Sequence, residues 1–391
     1  MRQAAGRAAR GLWALEAEGT FLNHGAFGGA PAPVRAAQAA WRDRIDAHPT
    51  RFFMDDSPAL IREAAGALAR FVGAAPERMA LTENVTASIG AVLRSLPLRP
   101  GERILTTSHV YGAVRNALAL VCARSGAVVE EATVPLPCPG PEAVLAPLAR
   151  ALERPARLVV IDHVASASAL VFPVAEAVRL ARAAGAWTLV DGAHAAGMLD
   201  LDVAAVDADW YAGNAHKWLC APRGAGWLAA RDAAAAAMVR PLATSHAHGQ
   251  GFAAEFDMIG TRDHAAWLSI PAAIALHEAM GGAALRARNR AVARAMGETV
   301  AVALDAPLSG PPTMMGSMAA VRLPFDLAPT RETAMALRRE MWRIARIDVN
   351  VSPLQGGLWL RLSAAPHVEA ADAAGVAHAA RRAAAAVARP A

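Results

Sequence analysis

Short runs rich in β-branched and aromatic residues alternate along the middle of the chain with longer Ala-rich stretches whose apolar positions recur at helical spacing. The runs 103–110 (RILTTSHV), 157–164 (RLVVIDHV), 186–195 (AWTLVDGAHA), 208–217 (ADWYAGNAHK) and 224–231 (GAGWLAAR) are predicted strands. Between them GAVRNALALVCARSG (112–126) and PVAEAVRLARAAG (173–185) read as helices, the second closing on Gly185, a natural helix stop. This rhythm predicts an α/β fold with a largely parallel sheet.

From residue 265 the pattern changes. A long helical stretch, AAWLSIPAAIALHEAMGG, leads to strands MAAVRLP and LWLRLSA and helices TRETAMALRREMWRIA and EAADAAGVAHAARRAAAAVA. The predicted organisation is an N-terminal segment, 1–40, packing across the domain boundary; a large α/β domain, 41–264; and an interdomain helix with a small C-terminal α+β domain, 265–391.

Composition narrows the classes. With 391 residues, 55% of them apolar, the chain has material for two domains. The mean hydropathy of +0.26 is positive, but the surplus is mostly Ala. No stretch of about 18 strongly apolar residues runs without Arg, Asp, His or Pro, so no membrane association is expected. The net charge of +5 is spread over arginines interleaved with acids, as in RETAMALRREMWRIAR, which argues against a nucleic-acid partner. Cys122, Cys138 and Cys220 form no CxxC pair, and no signal peptide is read, so a cytoplasmic protein is expected.

The 39 basic residues are 38 Arg and one Lys, Lys217. Compositional pressure explains the arginines. It does not explain the lysine, whose amine does what a guanidinium cannot: lose its proton and attack a carbonyl.

Ligands gather at the carboxyl ends of strands in parallel α/β sheets. Three predicted strand ends carry Asp191 with His194, His163 with Ser166, and Asn214 with His216 and Lys217. Upstream, LTENVTASIGAVLRSL puts Asn84, Thr86 and Ser88 in the first turn of a helix, an arrangement suited to phosphate. Each piece has a plain structural reading as a cap, a turn former or a core histidine. Together they suit one cofactor, pyridoxal 5'-phosphate (PLP).

The motifs NVTAS, TTSHVYGAV, DHVASASALVFPV, VDGAHAAGM, GNAHKWLCAPRGAGWL, GTRDHAAWLSI and LWLRLSAAPHVEAAD, in that order from about residue 20 to the C-terminus, resemble the class V aminotransferase family of fold-type I PLP enzymes, in its isopenicillin N epimerase-like branch. The resemblance implies a PLP fold of type I with Lys217 as the Schiff-base lysine and Asp191 pairing with the pyridinium nitrogen. It places His194 and Ser166 near the phenolic oxygen or the substrate, Val85, Thr86 and His216 on the phosphate, and Tyr111 against the ring. Arg361 matches the clamp on the substrate α-carboxylate, with Asn23 and His24 as further substrate contacts. Thr261, with Arg262, matches a loop from the second copy of a homodimer with shared active sites.

What the resemblance leaves open is the reaction. An epimerase or racemase acting on an amino-acid substrate is the leading expectation, ahead of a carbon–sulfur lyase and an aminotransferase. The penicillin precursor is not the expected substrate, since nothing in the chain points to an antibiotic pathway. A cysteine desulfurase is disfavoured, because DVNVSPLQGGLWLRLS holds no Cys, and Cys220 reads as a small buried residue. Epimerisation by two bases needs a group opposite Lys217, for which Tyr111, His109 and His24 are candidates. Three readings stand further off: a PLP-binding protein without turnover, a metal site at His246 and His248, and a dinucleotide loop at GAFGGAP.

Overall fold

The computed structural model describes residues 5–388. Residues 1–4 of the predicted N-terminal segment and 389–391 of the predicted C-terminal domain lie outside it. Seven strands build the central sheet: β1 (Met79–Thr82), β2 (Arg103–Thr107), β3 (Val128–Ala132), β4 (Leu158–Asp162), β5 (Trp187–Gly192), β6 (Trp210–Asn214) and β7 (Gly226–Ala230). Their order is β1-β7-β6-β5-β4-β2-β3. β7 runs antiparallel to β1 and β6, and all other pairings are parallel.

β4 and β6 are buried along their whole length, and β5 from Thr188 onward, so alternate side chains feed two apolar layers. Val159, Ile161, Val190 and Tyr211 share one layer with Ile61 and Leu68 of helix Ser57–Val72. Val160, Leu189 and Ala212 share the other with Ile89 of helix Val85–Ser95 and Val114 of helix Gly112–Ser125. Each such aliphatic side chain contributes about 1.5–3 kcal/mol when fully buried, which makes the sheet the rigid part of the molecule.

The predicted strands run past the observed ones because their polar tails, such as Ser108–Val110 and Ala215–Lys217, leave the ladder to form loops. β3 was not predicted: it is the sheet edge, and Val128 and Val129 are exposed. The antiparallel course of β7 is likewise invisible to periodicity.

In the C-terminal part, β8 (Met318–Arg322), β9 (Asn350–Leu354) and β10 (Gly357–Ser363) form an antiparallel sheet in the order β9-β10-β8. Helices Ala283–Leu304, Arg331–Ala345 and Val376–Val387 share its core. The predicted single helix over 265–282 is two, Ala265–Leu268 and Ile270–Ala279, with Pro271 in the first turn of the second. Helix Ala283–Leu304 was not predicted, yet its buried Leu285, Asn289, Ala293, Met296, Val300 and Leu304 recur at helical spacing. No single helix among the described residues is long and apolar enough to cross a membrane.

Helix Ala32–Ala47 runs through the predicted boundary at residue 40, so that boundary falls inside an element. Thr20–Phe21 pairs in parallel with Ile347–Asp348 in a separate two-stranded sheet, tying the N-terminal segment to the C-terminal part. The segment then crosses to the loop after β6. There Gly28 takes φ 63°, and a Cβ on it would stand 1.8 Å from the carbonyl oxygen of His216. Gly28→Ala should therefore lower the unfolding free energy by roughly 2–3 kcal/mol, read from urea denaturation; an unchanged midpoint would show that the two segments do not depend on this approach.

Candidate active site

β4, β5 and β6 end side by side, and they deliver Asp162, Asp191 and Asn214 to one edge of the sheet. Lys217 follows β6 by three residues. Its loop is closed by the Ala215 N–H to the Ala225 carbonyl at 2.9 Å and the Ala221 N–H to the Ala215 carbonyl at 3.1 Å. The loop after β5 lies directly on it: Gly197 takes φ 83°, and a Cβ there would meet the Trp218 carbonyl at 2.6 Å. This close contact brings His194 Nε2 to 3.3 Å from Lys217 Nζ.

Burial pushes the Lys217 amine down to about 8, helped by the positive charge of Arg361 and opposed by Asp191 and Asp162. Part of the lysine is therefore a free amine near neutral pH. His194 is held well below the usual imidazole range by burial and by Lys217, Arg361 and His216, so it is neutral.

Asp191 and Asp162 are partners in strand register, and both are buried. Asp191 Oδ1 accepts the Ala193 N–H at 2.9 Å. Burial and the neighbouring Asp191 charge push Asp162 well above the carboxylate range, so Asp162 is the protonated member, and its Oδ2 has no partner among the described residues. Sequence reasoning passed over Asp162, although it stands at a strand end as Asp191 does. It favoured His163, which points into the opposite layer, its Nδ1 at 2.6 Å from the Tyr211 hydroxyl.

At the start of helix Val85–Ser95, Asn84 caps the turn by accepting the Ala87 N–H at 2.9 Å. The expected phosphate contact of Val85 needs correction, because its N–H donates to Asn214 Oδ1 at 2.9 Å. Ser88 is also engaged, at 2.8 Å from Thr82 Oγ1 and 3.1 Å from the Trp227 carbonyl. Thr86 is exposed in the first turn and keeps its hydroxyl open. His216 donates through Nδ1 to the Ala225 carbonyl at 3.3 Å.

Arg361, on β10, is buried, and no carboxylate pairs with it among the described residues. One of its terminal nitrogens donates to the carbonyl and hydroxyl oxygens of Ser166, at 2.7 and 3.1 Å, and Nε has no partner. Ser166 thus steadies the arginine, whereas the resemblance placed it by the phenolic oxygen or the substrate. A buried guanidinium without an anion is costly, and its free N–H groups suit a carboxylate.

Asn23 and His24 face elsewhere than expected. The Asn23 amide donates to Asp348 at 3.2 Å, and His24 Nε2 donates to the Lys217 carbonyl at 2.9 Å, supporting the lysine from behind. His109 is committed through both ring nitrogens, to the Ser168 hydroxyl at 2.9 Å and the Val134 carbonyl at 3.2 Å, whereas His24 Nδ1 has no partner among the described residues. Tyr111, 44% exposed, caps helix Gly112–Ser125 and carries no side-chain hydrogen bond among the described residues. Burial pushes the Cys220 thiol up to about 12, which leaves it unreactive. Thr261 is exposed, while Arg262 is held within this chain by Glu83 and lies 3.7 Å over the Trp267 ring. His248 faces Glu255 at 3.9 Å, and among the described residues no three His, Cys, Asp or Glu side chains converge.

A buried, deprotonatable lysine, a carboxylate pair, a helix start that leaves Thr86 open and an unpaired arginine on such a sheet define a PLP-dependent enzyme of fold type I. The sequence profile described as Aminotransferase class-V matches residues 52–345, and the chain belongs to that family. It is 34% identical over 376 residues to an isopenicillin N epimerase of Streptomyces clavuligerus, covering 91% of this chain and 92% of that one. It is 32% identical to a putative L-cysteine desulfhydrase of Oryza sativa subsp. japonica, covering 82% and 70%. Among solved structures, the cystine C-S lyase C-DES shares the fold with a TM-score of 0.78 at 22% identity, covering 94% and 98%. A cysteine desulfurase from Thermococcus onnurineus NA1 does so at 0.77 and 18%, covering 98% of both chains.

Two outcomes follow from the electrostatics. The rate at which Lys217 takes up PLP should climb with pH as the amine loses its proton, with a midpoint near 8 and not near the 10.5 of an ordinary lysine. Stopped-flow absorbance across pH measures it. Arg361→Gln should raise KM for amino-acid substrates by roughly a hundredfold or more while PLP stays bound; an unchanged KM would remove Arg361 from the carboxylate site.

Proposed function

We propose that this chain inverts the Cα stereocentre of an amino acid or amino-acid-containing substrate, as an epimerase or racemase. The observation that carries this reading is the near full-length kinship with isopenicillin N epimerase. PLP, when bound, supplies an electron sink that makes the Cα proton labile. Lys217 carries the cofactor, and the ionised Asp191 carboxylate holds positive charge at the ring nitrogen. The hydroxyl and N–H of Thr86, the first-turn N–H that has no partner among the described residues, bind the phosphate. Arg361 receives the substrate carboxylate on Nε and its free terminal N–H groups. The Lys217 amine removes the Cα proton on one face as general base. Tyr111, the one of the three candidates that is exposed, returns a proton to the other face.

A second reading has its own support in the L-cysteine desulfhydrase relative. Carbon–sulfur cleavage of a cysteine derivative needs Lys217 as base and no group opposite, so Tyr111 is dispensable there. Transamination comes third. A PLP-binding role without turnover is disfavoured by a reactive Lys217 beside an unpaired Arg361.

The holoenzyme incubated with single amino acids in deuterated water separates these outcomes. Epimerisation predicts deuterium at Cα with inverted configuration, and Tyr111→Phe should retain exchange while losing inversion by a factor of roughly 100 or more. Pyruvate with thiol or sulfide release would overturn the epimerase reading in favour of the lyase, and a keto acid in favour of transamination. Lys217→Ala should abolish all three and the visible band of the joined cofactor.

We also propose a homodimer in which Thr261, exposed in one copy, completes the phosphate site of the other. Sedimentation equilibrium should give twice the 40.6 kDa chain mass, and Thr261→Ala should weaken PLP retention. The unpaired thiols Cys122, Cys138 and Cys220 suit a reducing compartment, and a cytoplasmic location is the one we propose.

A further inference from the structure

We propose that Trp218 is a positioning residue: it fixes which nitrogen of His194 carries the proton, and through His194 it presents Lys217 with a hydrogen-bond donor. The inference rests on the family-level site, and it is independent of which substrate bond is broken.

Trp218 follows the lysine directly and is buried. Its ring packs against His24, centroids 5.4 Å apart, within a cluster that holds Val164, Met198, Met318 and Trp359. Those neighbours leave the indole little room to turn. Its Nε1 lies 3.2 Å from His194 Nδ1. An indole N–H only donates, so Nδ1 must receive it on a lone pair. A neutral imidazole then has one place left for its hydrogen, Nε2.

Nε2 is the nitrogen that faces Lys217 Nζ, at 3.3 Å. An ammonium has no lone pair with which to accept an N–H, whereas a free amine does. The order indole N–H, imidazole, amine therefore favours the uncharged lysine that can attack a carbonyl. The opposite tautomer would aim a lone pair at Nζ and favour the ammonium. Burial of His194 beside Lys217, Arg361 and His216 acts in the same direction, since it keeps the imidazole from taking a second proton. Trp218 is thus the group that decides which kind of partner the lysine meets.

The test uses full-length holoenzyme labelled with 15N-histidine, in which side-chain 15N–1H correlations report the protonation of each ring nitrogen. The His194 signals are assigned by their loss in His194→Gln. The expected wild-type pattern is a protonated Nε2 and a bare Nδ1. Trp218→Phe keeps a ring in the cluster but removes the donor; it should move His194 toward the Nδ1-protonated form. It should also slow PLP uptake by the full-length apoprotein at neutral pH roughly tenfold, as for one lost hydrogen bond, with the deficit shrinking as pH rises. A wild-type spectrum with the proton on Nδ1 would overturn the proposal, and that spectrum decides even if Trp218→Phe fails to fold. A folded Trp218→Phe with an unchanged tautomer would overturn it equally. Failure of the epimerase reading would alter neither spectrum, so the two are separable.

Discussion

Two cations buried in one site, Lys217 and Arg361, are the constraint around which the molecule is arranged. Burial lowers the proton affinity of both, Arg361 lowers that of Lys217 further, and neither has a carboxylate in direct contact among the described residues. The sheet answers with Asp191, in register with the protonated Asp162 on the adjacent strand and close enough to bias the lysine without closing an ion pair. The loop after β4 answers with the carbonyl and hydroxyl of Ser166 on the guanidinium. What results is a poised amine and an arginine with donors to spare, the state a carboxylate-bearing substrate would relieve.

Such a site tolerates little slack, and backbone contacts between loops supply the rigidity. Gly197 lets the loop after β5 rest on the peptide of Trp218, and Gly28 lets the N-terminal segment rest on that of His216. His24 completes the clamp by donating to the Lys217 carbonyl. The lysine is thus fixed by two other chain segments, the loop after β5 and the N-terminal segment. Loops of this kind carry function because the buried sheet holds their ends still.

Much of this was readable beforehand where physics is local. The strand runs ending in Asp191 and in Lys217, the helix start at Asn84 and the lone lysine all follow from side-chain type and spacing. Reading failed where the answer lay across the sheet. Val85 resembled a phosphate donor until Asn214 was found on its N–H. His24 and His109 were plausible acids until His24 Nε2 was traced to the Lys217 carbonyl and both His109 nitrogens to a serine and a backbone carbonyl. Asp162 was overlooked because its meaning comes from the register that puts it beside Asp191. β3 was missed because an exposed edge strand has weak apolar patterning.

By itself, then, the sequence determined the class of chemistry: one deprotonatable amine among 38 guanidiniums, an acid at a neighbouring strand end and an arginine near the far terminus. Those follow from residue identity, which no folding can change. Only the tertiary structure decided which of the nearby polar groups remain free to act. Burial sets the proton affinity of Lys217, strand register pairs the two aspartates, and the loop contact at Gly197 turns His194 toward the amine. Each depends on distances between segments that the order of residues along the chain does not contain.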